Sequence, residues 1–272
     1  MDQFTASTWE ETANDRFSTR RDRNGLRKTD LARKVAGLKA TSGCDRFPTD
    51  VDHLASAVGI RTVRYVPLAV RGRLIREPGG FVAEINEELS RQSRRFVLAH
   101  EITHLLLERD MMLKSSQRIQ RVGMTLGHKR IESLCDFGAR EILLPASSVR
   151  KEVKMHNPSL EVVAAIANEA DCSLELVAEC ICDLLGVWAD ASFLTVEIAS
   201  SGVRLLRVLP STSALIEIAE NGTGLLHRAL RATSVVSGEA RIWVGSGEHH
   251  FSVQALSIGN QRLMMIASPR IR

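Results

Sequence analysis

The stretch RRFVLAHEITHLLLERD, residues 94 to 110, constrains this chain more than any other. A helix turns about 100° per residue, so side chains four apart share one face. His100 and His104 therefore project into the same space, with Glu101 beside the first, among Phe96, Val97, Ile102, Leu105 and Leu106. Two imidazoles in such apolar company each need a polar partner. A plain core helix would have to find two; one divalent ion serves both. The spelling H-E-x-x-H is that of a zinc-binding helix in which the intervening Glu works as general base.

At 272 residues and 44% apolar content, the chain has room for one large domain or two to three small ones around a real core. The net charge is +4, and much of the basic excess lies in the first forty residues (RRDRNGLRK, LARKVAGLK). That distribution does not draw a nucleic-acid-binding face. The N-terminus lacks the apolar run of a signal peptide and no segment reaches the length of a membrane span, so a cytoplasmic protein without membrane contact is expected. Five cysteines, an odd number without secretion signals, read as reduced thiols. Cys172, Cys180 and Cys182 lack paired C-x-x-C spacing and read as core.

Residues 1–28 are polar and read as a flexible basic tail. From Thr29, Leu31, Val35 and Leu38 form one helical stripe, and TDVDHLASAVG offers Thr49 as an N-cap and Gly59 as a stop. Short strands are expected over 60–66, 72–75 and 81–86, the last lying where an extended peptide could pair along its edge. The motif helix follows, then a loop-like basic segment over 110–128 and a second helix over 131–145 closed by Pro145. That helix carries Ile131, Leu134, Cys135, Gly138 and Ile142 on its apolar stripe.

Residues 159–188 read as two or three short helices, with ADCS as a helix-turn-helix-like corner. Leu174, Val177, Ile181 and Leu184 are expected in the core, and NEADCSLELVAECICDL has no Lys or Arg with which to bind phosphate, so DNA binding is not expected. After Ser192 the period changes from 3.6 to 2. FLTVEIA, VRLLRVL, ARIWVG, HFSVQAL and RLMMIAS read as strands, SALIEIAE and GLLHRALRA as helices, and GSGE and GN as turns.

A catalytic zinc usually takes three protein ligands. Glu108, His128, Glu132, Asp136 and Glu141 all lie downstream of the motif, and spacing alone does not rank them. On the second helix Glu132 sits on the side of Cys135, Ala139 and Leu143, where a carboxylate needs a counter-charge, whereas Glu141 neighbours Arg130 and Phe137 and can be solvated or paired.

VDHLASAVGI, FVAEIN, RRFVLAHEITHLLLE and ESLCDFGAREILLP, in that order, resemble the ImmA/IrrE family of bacterial metallopeptidases. In that family F-x-x-A-H-E-x-x-H-x-x-L is followed by E-x-x-A-N-x-F-A-x-x-L-L-M-P. The resemblance implies His100 and His104 as metal ligands, Glu101 as general base and Glu132 as third ligand. Cys135-Asp136 stands where the family often has Ala-Asn, Gly138 replaces a Phe, and Ile102-Thr103 replaces Leu-Gly; none of these removes a ligand. The cofactor expected is Zn²⁺, and a His₂Glu set also accepts Mn²⁺. Tyr65 is the one tyrosine, so His128, about one turn before Glu132, is the candidate to steady an oxyanion, set against an ordinary exposed histidine.

The fold that follows is α+β: a zincin-like metallopeptidase domain over 29–150, a helix-turn-helix-like helical segment over 151–190, and a mixed α/β GAF-like sensor or docking domain over 191–272. The last assignment rests on domain order in the longer, radiation-response type of the family. The resemblance implies a site-specific endopeptidase whose substrate is a helix-turn-helix repressor, cut to induce stress or mobile-element genes, with a small-molecule or other signal received at the C-terminal domain. The alternative is a non-catalytic, metal-dependent regulator that binds a repressor or DNA. Glu101 speaks against it, because binding alone needs no base.

Overall fold

Breakers and periodicity divide the chain into short elements, and the computed structural model assembles them around two apolar clusters. It describes residues 28–114, 124–184, 186–199, 202–209, 216–218, 220–244 and 247–269. Helices α1 (Lys28–Thr41) and α2 (Val51–Ala57) lead into strands β1 (Ile60–Val66), β2 (Gly72–Glu77) and β3 (Gly80–Asn86). Helices α3 (Arg91–Lys114), α4 (Met124–Leu143), α5 (Ala146–Val153), α6 (Leu160–Ala170) and α7 (Leu174–Cys182) follow. Strands β4 (Ser192–Ala199), β5 (Gly202–Leu209) and β6 (Ile216–Ile218), helix α8 (Glu220–Arg231), and strands β7 (Val236–Val244), β8 (Gly247–Gly259) and β9 (Arg262–Pro269) complete it. No described helix is long and apolar enough to cross a membrane.

In the small sheet β3 is central, parallel to β1 and antiparallel to β2. The peptide-pairing edge expected of FVAEIN therefore does not exist: both sides of that strand are occupied, and the free edges belong to β1 and β2. The β2–β3 hairpin closes through Gly79, whose φ of +89° few other residues adopt. Alternation sends Ala83 and Ile85, both fully buried, onto α3.

Helix α3 packs against this sheet and against α4. Two departures from the family pattern meet at the helix contact. A Cβ built on Gly138 would lie 2.4 Å from Thr103 Cγ2 and 2.7 Å from its Oγ1. Thr103 is itself fully buried, its hydroxyl donating to Ala99 O at 2.9 Å. Only a residue without a side chain lets the two helices come this close.

The helical segment caps itself as its sequence suggests. The Ser159 hydroxyl accepts from Glu161 N and Val162 N at the start of α6, and the Ser173 hydroxyl accepts from Leu176 N at the start of α7. Val177, Ile181 and Leu184 are buried and Leu174 packs against them. Asp171, at the left-handed corner, takes ion pairs from Arg91 and Arg95 of α3, and Asp183 takes one from Arg140 of α4.

The second sheet runs β5-β4-β9-β8-β7-β6, antiparallel throughout. Period-2 alternation splits its faces. Leu263 and Met265 pack with Leu225, Leu226 and Ala229 of α8, while Met264, Ile266 and Phe193 join the core of the first part.

Four sequence expectations need correcting. Asp50, not Thr49, caps α2, accepting from His53 N at 2.9 Å; the Thr49 hydroxyl is instead committed to Ile142 O and Lys39 Nζ. The segment 110–128 is not one loop: α3 runs to Lys114 and α4 starts at Met124, because packing of one helix on the other sustains turns that a polar composition does not predict. Within SALIEIAE, Ile216–Ile218 is a strand paired with β7, and the following helix starts at Glu220; residues 211–215 lie outside the described set. The fourth is the edge assignment of FVAEIN given above. The tail expected over 1–28 lies outside the described residues except for Lys28.

Gly138→Ala should lower stability by about 1–3 kcal/mol through overpacking. Thr103→Ala in the same chain should recover part of that loss. Urea unfolding of the two single variants and the double variant gives the coupling; strict additivity would mean that the two residues do not share the contact.

Candidate metal centre

Helix geometry brings His100 and His104 onto one face of α3, and the close approach of α4 brings Glu132 opposite them. His100 Nε2 lies 3.1 Å from His104 Nε2 and 3.2 Å from Glu132 Oε2, and His104 Nε2 lies 3.5 Å from Glu132 Oε1. Bonds of about 2.0–2.1 Å in a tetrahedron put ligand atoms about 3.3 Å apart, so these three side chains have the spacing of a bound divalent ion. Both imidazoles are largely covered, whereas the Glu132 side chain retains 39% exposure, leaving an approach from solvent.

A second donor set shares the imidazoles. His100, His104 and Cys135 hold their ligand atoms within 4.8 Å of one another. Glu132 is the better third ligand, because its oxygens already sit at coordination spacing while the wider limit requires the thiol to move. Cys135 is fully buried, and its thiol is raised well above the ordinary range, by burial first and then by Glu132, Glu101 and Asp136.

Asp136 supplies what its neighbours lack, an anchor for one ligand. Its carboxylate accepts from His100 Nδ1 at 2.9 Å, which leaves Nε2 as the lone-pair nitrogen facing Glu132. The imidazole is raised from its ordinary value. Burial pulls it down, but the hydrogen bond and charge of Asp136, with Glu101 and Glu132, outweigh that effect.

Glu101 is 7% exposed, and its carboxyl is pushed up to about 7, mainly by burial, with His100 opposing and Glu132 reinforcing. A carboxylate so placed exchanges protons near neutral pH. It also lies against the edge strand. A Cβ on Gly72 would fall 3.5 Å from Glu101 Oε1 and 2.4 Å from Val97 Cγ1, so glycine is what allows β2 to pass this close to α3.

The remaining sequence candidates go elsewhere. Glu108 pairs with Arg76 of β2 at 3.0 Å. Glu141, expected to be solvated or paired, is partly buried and accepts from Ala146 N at 3.5 Å; burial raises its pKa against that hydrogen bond and the charges of Arg140 and Lys39. The side chain of His128 lies outside the described set. The anchoring role of Asp136 was missed in the sequence, where it stood only among possible ligands; four residues past Glu132 on the same helix face was the available signal.

Residues 59–181 match the family described as the IrrE N-terminal-like domain, peptidase M78. The radiation response metalloprotease IrrE of Deinococcus deserti is 31% identical over 140 residues, covering 52% of this chain and 49% of that protein. The protein of the same name from Deinococcus radiodurans is 30% identical over 124 residues, covering 46% of this chain and 37% of that one. The matched region thus spans about half or less of each relative. A solved structure described as a Mycobacterium tuberculosis transcriptional regulator superposes on 96% of this chain and 81% of that one, with a TM-score of 0.54 at 16% identity; this likeness concerns the fold alone.

Asp136→Ala should weaken Zn²⁺ binding by about 10–100-fold, and Asp136→Asn, which keeps an acceptor for His100 Nδ1, should recover much of it. Chelator competition measures both. Unchanged affinity in Asp136→Ala would show that the carboxylate does not orient the ligand.

Proposed function

We propose that this chain, which carries an IrrE N-terminal-like peptidase domain over residues 59–181, is a site-specific, metal-dependent endopeptidase that cleaves a helix-turn-helix transcriptional repressor in the cytoplasm. The observation that carries the catalytic part is the joint placement of three donors at coordination spacing and a buried carboxylate beside them.

His100, His104 and Glu132 would hold the ion, Zn²⁺ by preference and Mn²⁺ as a second occupant. Such an ion supplies positive charge that acidifies water and polarises a peptide carbonyl. Asp136 keeps the His100 ring turned with Nε2 toward the donors. Glu101 takes the proton of the attacking water at a carboxylate oxygen and then delivers it to the leaving amine. Burial by itself raises that carboxyl, and the charge of a bound ion would oppose the rise.

The substrate chain has a place to lie. The bond from Asn86 N to Arg71 O turns the backbone groups of Arg71, Arg73, Ile75 and Glu77 toward β3, so those of Gly72, Leu74 and Arg76 face outward along the β2 edge. An extended segment paired there runs past Glu101. Pairing of this kind requires a locally unfolded or extended substrate, which favours selectivity over general digestion.

The helical segment supports protein contact better than DNA contact. Glu179 of α7, the would-be recognition helix, pairs with Arg207 of β5 at 2.6 Å, and Leu174–Cys182 contains no cation. For the C-terminal part, an antiparallel sheet with α8 on one face supports the GAF-like reading and a role in sensing or docking.

Incubation of wild-type and Glu101→Gln protein, loaded with Zn²⁺ or Mn²⁺, with the helix-turn-helix repressor encoded nearest to the gene tests the reading by mass spectrometry. Wild type should release one discrete pair of fragments. Glu101→Gln should bind metal normally and cut at least about 10²–10⁴-fold more slowly. Equal cutting by the two forms would exclude Glu101 as the base, and intact repressor in both, with stable binding, would favour a regulator without turnover.

A further inference from the structure

We propose that Cys135 is a fourth protein donor at this centre, recruited by thiophilic divalent ions and not by Mn²⁺. The inference rests on the metal-centre reading above and adds to it a residue that the family pattern does not supply, since Ala often stands at this position there. Three observations carry it.

The first is placement. Cys135 follows Glu132 by three residues on α4, so helical geometry turns both toward α3. Its sulfur and a ring nitrogen of each histidine lie within 4.8 Å of one another, so Cys135 stands beside the same two imidazoles that Glu132 faces. At the roughly 90–120° angles of a five-coordinate ion, which keeps a place for water, bonds of about 2.0–2.1 Å to nitrogen and 2.3 Å to sulfur put N···S at about 3.1–3.8 Å. A displacement of about an ångström, within the range of a side-chain torsion, closes the difference.

The second is direction. Cys135 is fully buried, whereas Glu132 is partly exposed, so the thiol approaches from the protein interior. The third is the chemistry of the donors. Two imidazoles and a carboxylate hold hard and borderline ions alike, and a sulfur added to them favours Zn²⁺, Co²⁺ and Cd²⁺ over Mn²⁺. Coordination forms a metal–sulfur bond and breaks the S–H bond, releasing one proton to solvent with no change in oxidation state. Cys135 thereby sets which ion the centre retains.

Full-length protein loaded with Co²⁺ provides the direct test. Wild type should show a thiolate-to-cobalt charge-transfer band in the near ultraviolet, and Cys135→Ala and Cys135→Ser should lack it. Cd²⁺ affinity by competition titration should fall about tenfold or more in both variants, while Mn²⁺ affinity stays within about twofold of wild type. Circular dichroism confirms that each variant is folded, and the two substitutions differ in polarity, so one packing defect does not explain both. Absence of the band in wild type, or unchanged Cd²⁺ affinity in folded variants, overturns the role of Cys135. If His100→Ala abolishes metal binding under those conditions, the proposed function still stands; if wild type binds none of these ions, both readings fall.

Discussion

The distance between α3 and α4 governs the centre of this protein. His100, Glu101 and His104 belong to one helix, Glu132 and Asp136 to the other, and a glutamate side chain cannot stretch to compensate for a wide gap. Gly138 removes the side chain that would hold the helices apart, and Thr103 fills the space so created. Interior packing is dense enough that added atoms at such a contact must move a backbone. The rigidity of α4 then carries the approach at Gly138 back along the helix to Glu132.

A buried polar network ties the C-terminus of α4 to α1. Lys39 is 3% exposed, and its Nζ donates to Thr49 Oγ1 and Ile142 O, both at 2.9 Å. Ile142 lies in the last turn of α4, where carbonyls lack helical partners and a cation is favoured by the helix dipole. Burial, the largest influence, lowers the Lys39 pKa, against the pull of Asp45, Cys44 and Glu141. No described buried side-chain nitrogen or oxygen is left without a partner, as a well-formed interior requires.

The helical segment ties these pieces to the C-terminal sheet. Asp171 holds Arg91 and Arg95 from α3, and Asp183 holds Arg140 from α4, so both helices of the candidate centre are anchored to the α6–α7 unit. The Arg95–Asp171 and Arg140–Asp183 pairs are largely covered and lose more on being broken than an exposed pair would. On its other side the unit meets the sheet through Gln254, which accepts from Leu160 N at 2.7 Å, and through Phe193, Met264 and Ile266 in the shared core. The packed path from the sheet to the His100–His104–Glu132 cluster thus runs through the α6–α7 unit.

Much of this was legible in the residue order, and the limits have physical causes. The i, i+4 spacing alone placed both imidazoles on one face, because helical geometry is local. Strand alternation and turn residues likewise located the sheets, since period and backbone preference are properties of neighbouring residues. The sequence did not decide among the carboxylates downstream of the motif, and a family resemblance was needed to choose Glu132. Only the packed helices separate Glu132 at coordination spacing, Asp136 on His100, Glu108 on Arg76 and Glu141 near Ala146. The edge strand, the identity of the α2 cap and the nearness of Cys135 were decided the same way. The strand order, the bonds that take Thr49 away from the cap and the approach of α4 to α3 depend on contacts between residues far apart in the chain, for which no local pattern carries a signal.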